Sequence, residues 1–145
     1  VIQLCSSPRS IDYGSFLPKG FEMAAKKSIC VDFDGVLHRY DSGWKGVCEI
    51  PDPPVSGAVA WLIELTADPR FEVCVYSSRS KDPAAIEAMK TWLLHWGTPE
   101  NVVKKLVFPV QKPAAFLTID DRAICFTGVF PSIDEIDGFR PWNKK

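Results

Sequence analysis

No stretch of this chain is long and apolar enough to cross a membrane as a helix. A span takes about 18 or more consecutive apolar residues, and runs such as Ala58–Ile63 end after a few. Neither sign of charge is in excess: 17 Lys and Arg stand against 18 Asp and Glu, a formal net charge of -1. That balance excludes the electrostatic footprint of a general nucleic-acid or anionic-membrane binder, while leaving room for one specific phosphate site. Histidine is scarce, with only His38 and His95, and the five cysteines (Cys5, Cys30, Cys48, Cys74, Cys125) contain no C-x-x-C pair. A zinc site or a disulfide framework is therefore not expected. Cys30, Cys74 and Cys125 lie inside apolar strand-like runs and read as buried reduced thiols of a cytoplasmic protein. The glycine-rich G-x-x-x-x-G-K-[ST] loop of a P-loop kinase is missing. Residues 1–27 lack the continuous apolar core of a secretory signal.

What is present is enough for one folded domain: 145 residues, 46% of them hydrophobic. Residues 1–23 show little periodicity and read as an N-terminal extension. It is expected to be poorly ordered, or else an arm anchored by Ile2, Leu4, Phe16 and Phe21. The domain is expected over 24–145. Apolar runs at 29–33, 71–78, 105–110 and 114–119 read as strands, with a short fifth at 123–126. Between them, 55–67 and 82–97 carry apolar residues at helical spacing, and Gly97 is a natural stop. Strands alternating with helices predict an α/β fold, a doubly wound parallel sheet with helices on both faces. Ligands of such sheets bind beyond the carboxyl ends of the strands.

That rule gives meaning to the stretch Ile29-Cys30-Val31-Asp32-Phe33-Asp34-Gly35. Asp32 and Asp34, two apart on a strand end, share a side and repel each other unless a cation, a shared proton or a chemical task accounts for them. The other strand ends add Ser77, Ser78 and Arg79, then Lys112, then Asp120 and Asp121. Oxygen ligands without His or Cys suit Mg²⁺. A lysine and a hydroxyl beside that ion suit phosphate.

In this order, D-F-D-G-V-L (32–37), Ser77, Lys112 and D-D (120–121) resemble the four motifs of the haloacid dehalogenase-like (HAD) phosphohydrolases. The resemblance covers about residues 28–126. It implies a Rossmann-like core and a Mg²⁺-dependent phosphomonoesterase, with Asp32 as the nucleophile that forms an aspartyl-phosphate. It implies Asp34 as the acid that protonates the leaving oxygen and then as the base for water. Ser77 and Lys112 would hold the phosphoryl group, with Ser78 and Arg79 beside them. Asp32, Asp120, Asp121 and the Asp34 backbone carbonyl would hold the metal. Gly35 would permit the sharp backbone departure after the motif.

Several residues carry a plainer reading. Lys104 and Lys105 rival Lys112 but read as solvated charges. Arg79 binds a second anion or merely pairs with a carboxylate. His38 reads as a flap residue without a catalytic role, and His95 as structural. The tryptophans are expected in the core, except Trp44 on a hairpin over the site. Residues 38–54 allow only a short flap, and 80–111 are used by one helix and one strand, so no cap domain is expected. The resulting open site suits a macromolecular phosphoester, or a small one if an oligomer partner covers the mouth. A phosphoacceptor receiver domain uses similar groups in a different order, and a HAD-like scaffold without turnover is the remaining alternative.

Overall fold

Parallel pairing of two apolar runs organises the computed structural model, which describes residues 25–144. The extension expected over 1–23 lies outside the described residues. β1 (Lys27–Asp32) is central, with β2 (Phe71–Tyr76) on one side and β3 (Leu117–Ile119) on the other, all parallel. The register sets Ile29 opposite Val73 and Val31 opposite Val75. Because side chains alternate along a strand, these four share one face, and all are buried. Leu62 from α1 (Ala58–Ala67) and Met89, Trp92 and Leu93 from α2 (Pro83–His95) pack onto it. Val103 of α3 (Glu100–Val103) joins the same core.

Local chemistry explains the bounds of α2. Asp82 accepts the Ala84 N–H at 2.8 Å, and Pro83 opens the helix where no donor is needed. At the other end Gly97 has φ +91°. Its N–H reaches the Leu94 carbonyl at 3.1 Å, and the Thr98 N–H reaches that of Leu93 at 2.9 Å. This is the Schellman pattern that glycine makes cheap.

Other expectations change. The predicted strand 105–110 is reduced to a single bridge, Val107 to Cys74. Val107 exchanges hydrogen bonds with Val73 and Val75, but Pro109 has no N–H with which to extend the ladder. The run 123–126 forms no strand, and Cys125 there is exposed rather than buried. Of the tryptophans only Trp92 is buried; Trp44, Trp61, Trp96 and Trp142 are exposed. The fold is α/β with a small parallel sheet, compatible with a Rossmann-like core. Helices α1 to α3 share the Ile29/Val31 face, whereas the alternate face carries Ser28, Cys30, Cys74 and Tyr76. Among the described residues, the helix layer expected on both faces is thus built on one. No helix among them is long and apolar enough to cross a membrane.

The chain then returns to the loop after β1. Beyond α4 (Ile133–Asp137), the turn Trp142–Lys144 fastens that loop. The Trp142 indole donates to the Gly35 carbonyl at 2.7 Å, Asn143 to that of Arg39 at 2.9 Å, and Lys144 to that of Asp41 at 3.1 Å.

Leu62 is fully buried between α1 and the sheet, and Trp61 beside it is exposed. Leu62→Ala is expected to cost about 2–5 kcal/mol in denaturant unfolding. Trp61→Ala is expected to cost far less. Equal losses would mean that α1 presents a different face to the sheet.

Candidate active site

Six of the residues singled out from the sequence line one cleft of about 330 Å³ at the carboxyl end of the sheet: Asp32, Asp34, Ser77, Ser78, Lys112 and Asp120. Each arrives by a short route. β1 delivers Asp32 and the turn after it delivers Asp34. β2 delivers Ser77, β3 delivers Asp120 and Asp121, and the loop before β3 delivers Lys112.

The carboxylates divide into two groups. Asp32, Asp120 and Asp121 each offer an oxygen within 4.8 Å of the others. Asp121 is the extreme member: its side chain is 1% exposed, and neither carboxylate oxygen has a hydrogen-bond partner. A Cβ on Gly35 would stand 2.5 Å from Asp121 Oδ2, and Gly35 has φ +93°. Glycine is therefore needed twice at this position, for the backbone angle and for the close approach of Asp121. Nearby cations do not satisfy the cluster. Lys112 Nζ is 3.6 Å from Asp120 and Arg122 Nε is 4.0 Å from Asp121, and both side chains are more than half exposed. Burial, then the Asp120, Asp121 and Asp34 charges, push the Asp32 carboxyl up to about 7, opposed by the N–H of Phe33. Burial, with help from Asp120, also raises Asp121 against the pull of Arg122.

Asp34 is the second group by itself. Arg79 donates to it through Nε at 2.7 Å and Nη2 at 3.2 Å. Ser77 Oγ donates at 3.1 Å, and His38 Nδ1 lies 2.9 Å from Oδ1. The His38 tautomer follows from its far side, where Nε2 accepts the Asp52 N–H at 3.2 Å. With that nitrogen an acceptor, Nδ1 carries the proton and donates it to Asp34. Burial alone would raise Asp34, but the His38 and Arg79 hydrogen bonds outweigh it and hold the carboxyl below its ordinary range.

Two residues turn out to be tied to Asp34, Arg79 taking the carboxylate-pairing role that is one of its two readings. His38, read as a flap residue without a catalytic role, is wholly buried and orients Asp34. Arg79 is 1% exposed and does not line the cleft. Its guanidinium bridges Asp34 to the carbonyls of Gly46, Val47 and Glu49, and lies 4.5 Å from the Trp44 ring centroid. Residues 39–50 form no hairpin; they are an irregular loop tied down by Arg79 and by Ser42, which donates twice to Asp52. Ser77 commits its hydroxyl proton to Asp34, and its oxygen accepts the Arg79 N–H at 3.3 Å. The sequence signals for these ties are thin: a histidine four residues after Asp34, and an arginine two residues after Ser77.

The donor set suits a divalent cation. Three carboxylates, one of them buried with both oxygens orphaned, fit a hard, oxygen-seeking ion such as Mg²⁺. Without the ion, the raised Asp32 sets the sign of the pH dependence. The folded state holds its proton to a higher pH than the unfolded chain, so stability falls as pH rises from about 4 to 7. Asp121 acts in the same direction. In metal-chelated protein, Asp32→Asn is expected to flatten this fall, read from melting temperatures across that window. An unchanged slope would mean that Asp32 is not among the strained carboxylates.

Comparison with protein-family models, curated proteins and solved structures returns no match, so the function is read from the geometry of the site itself.

Proposed function

We propose that this protein is a divalent-metal-dependent phosphomonoesterase of HAD-like type, with Asp32 as its nucleophile. The observation that carries the reading is the Asp121 carboxylate, buried and unpartnered beside Asp32 and Asp120. A buried charge left in that state is costly unless a ligand is its purpose. Asp32, Asp120 and Asp121 would hold the ion, and Mg²⁺ there would supply charge neutralisation for a phosphoryl group.

The residues of the chain divide the remaining work. In the first half-reaction an Asp32 oxygen forms a bond to phosphorus as the bond to the leaving oxygen breaks. Lys112, on the cleft wall, neutralises phosphoryl oxygens. In the second half, water attacks the phosphorus of the aspartyl-phosphate, its proton passes to Asp34, and free Asp32 and inorganic phosphate result. Asp34, kept ionised by Arg79 and His38, is ready for that base role. To act first as an acid it must take up a proton, so esters with poor leaving groups should react more slowly than aryl phosphates.

A binding-only reading draws on one observation, that Ser77 and Asp34 are already hydrogen-bonded to each other. Turnover separates the two. An aryl phosphate is expected to be hydrolysed with Mg²⁺, not in excess chelator, and again when Mg²⁺ is restored. Asp32→Asn should abolish activity and leave no phosphoenzyme. Asp34→Asn should slow turnover by roughly 10²–10⁴-fold, with phosphate accumulating on Asp32 by mass spectrometry. Full activity in chelator, or a covalent phosphate on another residue, would defeat the proposal.

A further inference from the structure

Three aromatic side chains line the cleft beside the carboxylates: Tyr40 and Trp44 from the flap, and Tyr76 from the end of β2. Trp44 is the unusual one. It is 52% exposed, and its ring lies against the Arg79 guanidinium, 4.5 Å from the centroid. The Arg79 guanidinium against it is itself fixed by Asp34 and by the flap carbonyls of Gly46 and Val47. A cation against an aromatic face is attractive, most of all when the cation is desolvated. Trp44 lines the cleft and Arg79 does not, so the indole stands between the buried cation and the cleft. A large aromatic ring, backed by a fixed cation and about half exposed, thus lines the proposed active site.

We infer that the leaving group of the substrate is a nucleoside, whose base stacks on Trp44 while its phosphate meets Asp32 and Lys112. The phosphate half rests on the phosphomonoesterase reading; the base half rests on Trp44 alone. A cleft of about 330 Å³ is at the lower end for small-molecule sites, which start at roughly 300 Å³. Arg79 draws electron density from the indole, which favours stacking on an electron-rich planar base over contact with the C–H face of a sugar. Ser78, Thr118 and Arg122 also line the cleft, so hydrogen-bonding groups for base edges and ribose hydroxyls stand among the aromatics. A phosphotyrosine ring has no such polar edges to satisfy. The same chemistry exists in a free mononucleotide and in a terminal nucleotide of an oligonucleotide, and the flap leaves the cleft open to either.

The test compares kcat/KM for adenosine monophosphate and for an oligonucleotide with a terminal phosphate against glycerol phosphate, a hexose phosphate and a phosphotyrosine peptide. The wild type is expected to prefer a nucleotide substrate, and the faster of the two identifies its source. In Trp44→Ala the nucleotide-to-glycerol-phosphate ratio should fall roughly 5- to 150-fold, the span of one base–aromatic stack. Trp44→Phe should retain most of it. A ratio unmoved by Trp44→Ala, or a wild-type preference for the hexose phosphate or phosphopeptide, overturns the inference. Calorimetry with adenosine, which carries no phosphate, tests the stack even if no ester is hydrolysed. Saturable binding that Trp44→Ala removes supports the nucleoside site independently of catalysis, and no binding to wild type refutes it. Circular dichroism melts of both variants check that the fold is retained.

Discussion

Four carboxylates converge at the ends of two neighbouring parallel strands, and the protein compensates only one of them fully. Asp34 receives hydrogen bonds from Arg79, Ser77 and His38. Asp32, Asp120 and Asp121 face one another with two half-exposed cations at 3.6 and 4.0 Å. Like charges so close raise each other's pKa and cost stability unless an ion intervenes. The unequal treatment is the main physical constraint on the site, and it separates two tasks. On the proposed reading, the fully paired carboxylate would serve as the base and the weakly compensated trio would take the cation.

Arg79 connects that constraint to the rest of the molecule. Its buried guanidinium neutralises Asp34, accounts for three flap carbonyls and backs the Trp44 ring. Removing one partner of such a buried pair strands the other, typically at a cost of about 3–5 kcal/mol. The loop after β1 is therefore fastened from both sides: Arg79 holds residues 46–49, and the Trp142–Lys144 turn holds residues 35–41. With no further domain inserted between Asp32 and Asp121 among the described residues, the protein in this way still builds one wall over its cleft.

Much of this was legible in the sequence where the signal is local. The apolar run at 29–33, the helical spacing over 82–97 and the Gly97 stop specify β1 and α2 within a few residues. Asp32, Asp34, Ser77, Ser78, Lys112 and Asp120 followed from one rule about parallel sheets, and they line one cleft, with Asp121 buried beside it. What could not be read depends on contacts distant in sequence. Arg79 meets Asp34 across 45 residues, and Trp142 meets Gly35 across 107; neither spacing carries a pattern. The apolar run 105–110 misled for a local reason, because Pro109 interrupts the donors a strand needs. The tryptophans misled because size favours burial on average, whereas here the hydrogen-bonded indole of Trp92 takes the core position and the others remain at the surface.

The central claim is that the Asp32, Asp120 and Asp121 cluster exists to hold a divalent cation, and its most exacting member is Asp121. The direct measurement is a set of melting curves for wild type and Asp121→Asn, each in chelator and in Mg²⁺. Removing a buried, unpartnered charge should raise the melting temperature of the metal-free protein. Mg²⁺ should stabilise wild type by mass action, about 2.7 kcal/mol at a hundredfold excess over its dissociation constant, and should do much less for the variant. If Asp121→Asn melts well below wild type in chelator, and Mg²⁺ shifts neither protein, the carboxylates serve the architecture of the strand ends and the metal-site account is wrong.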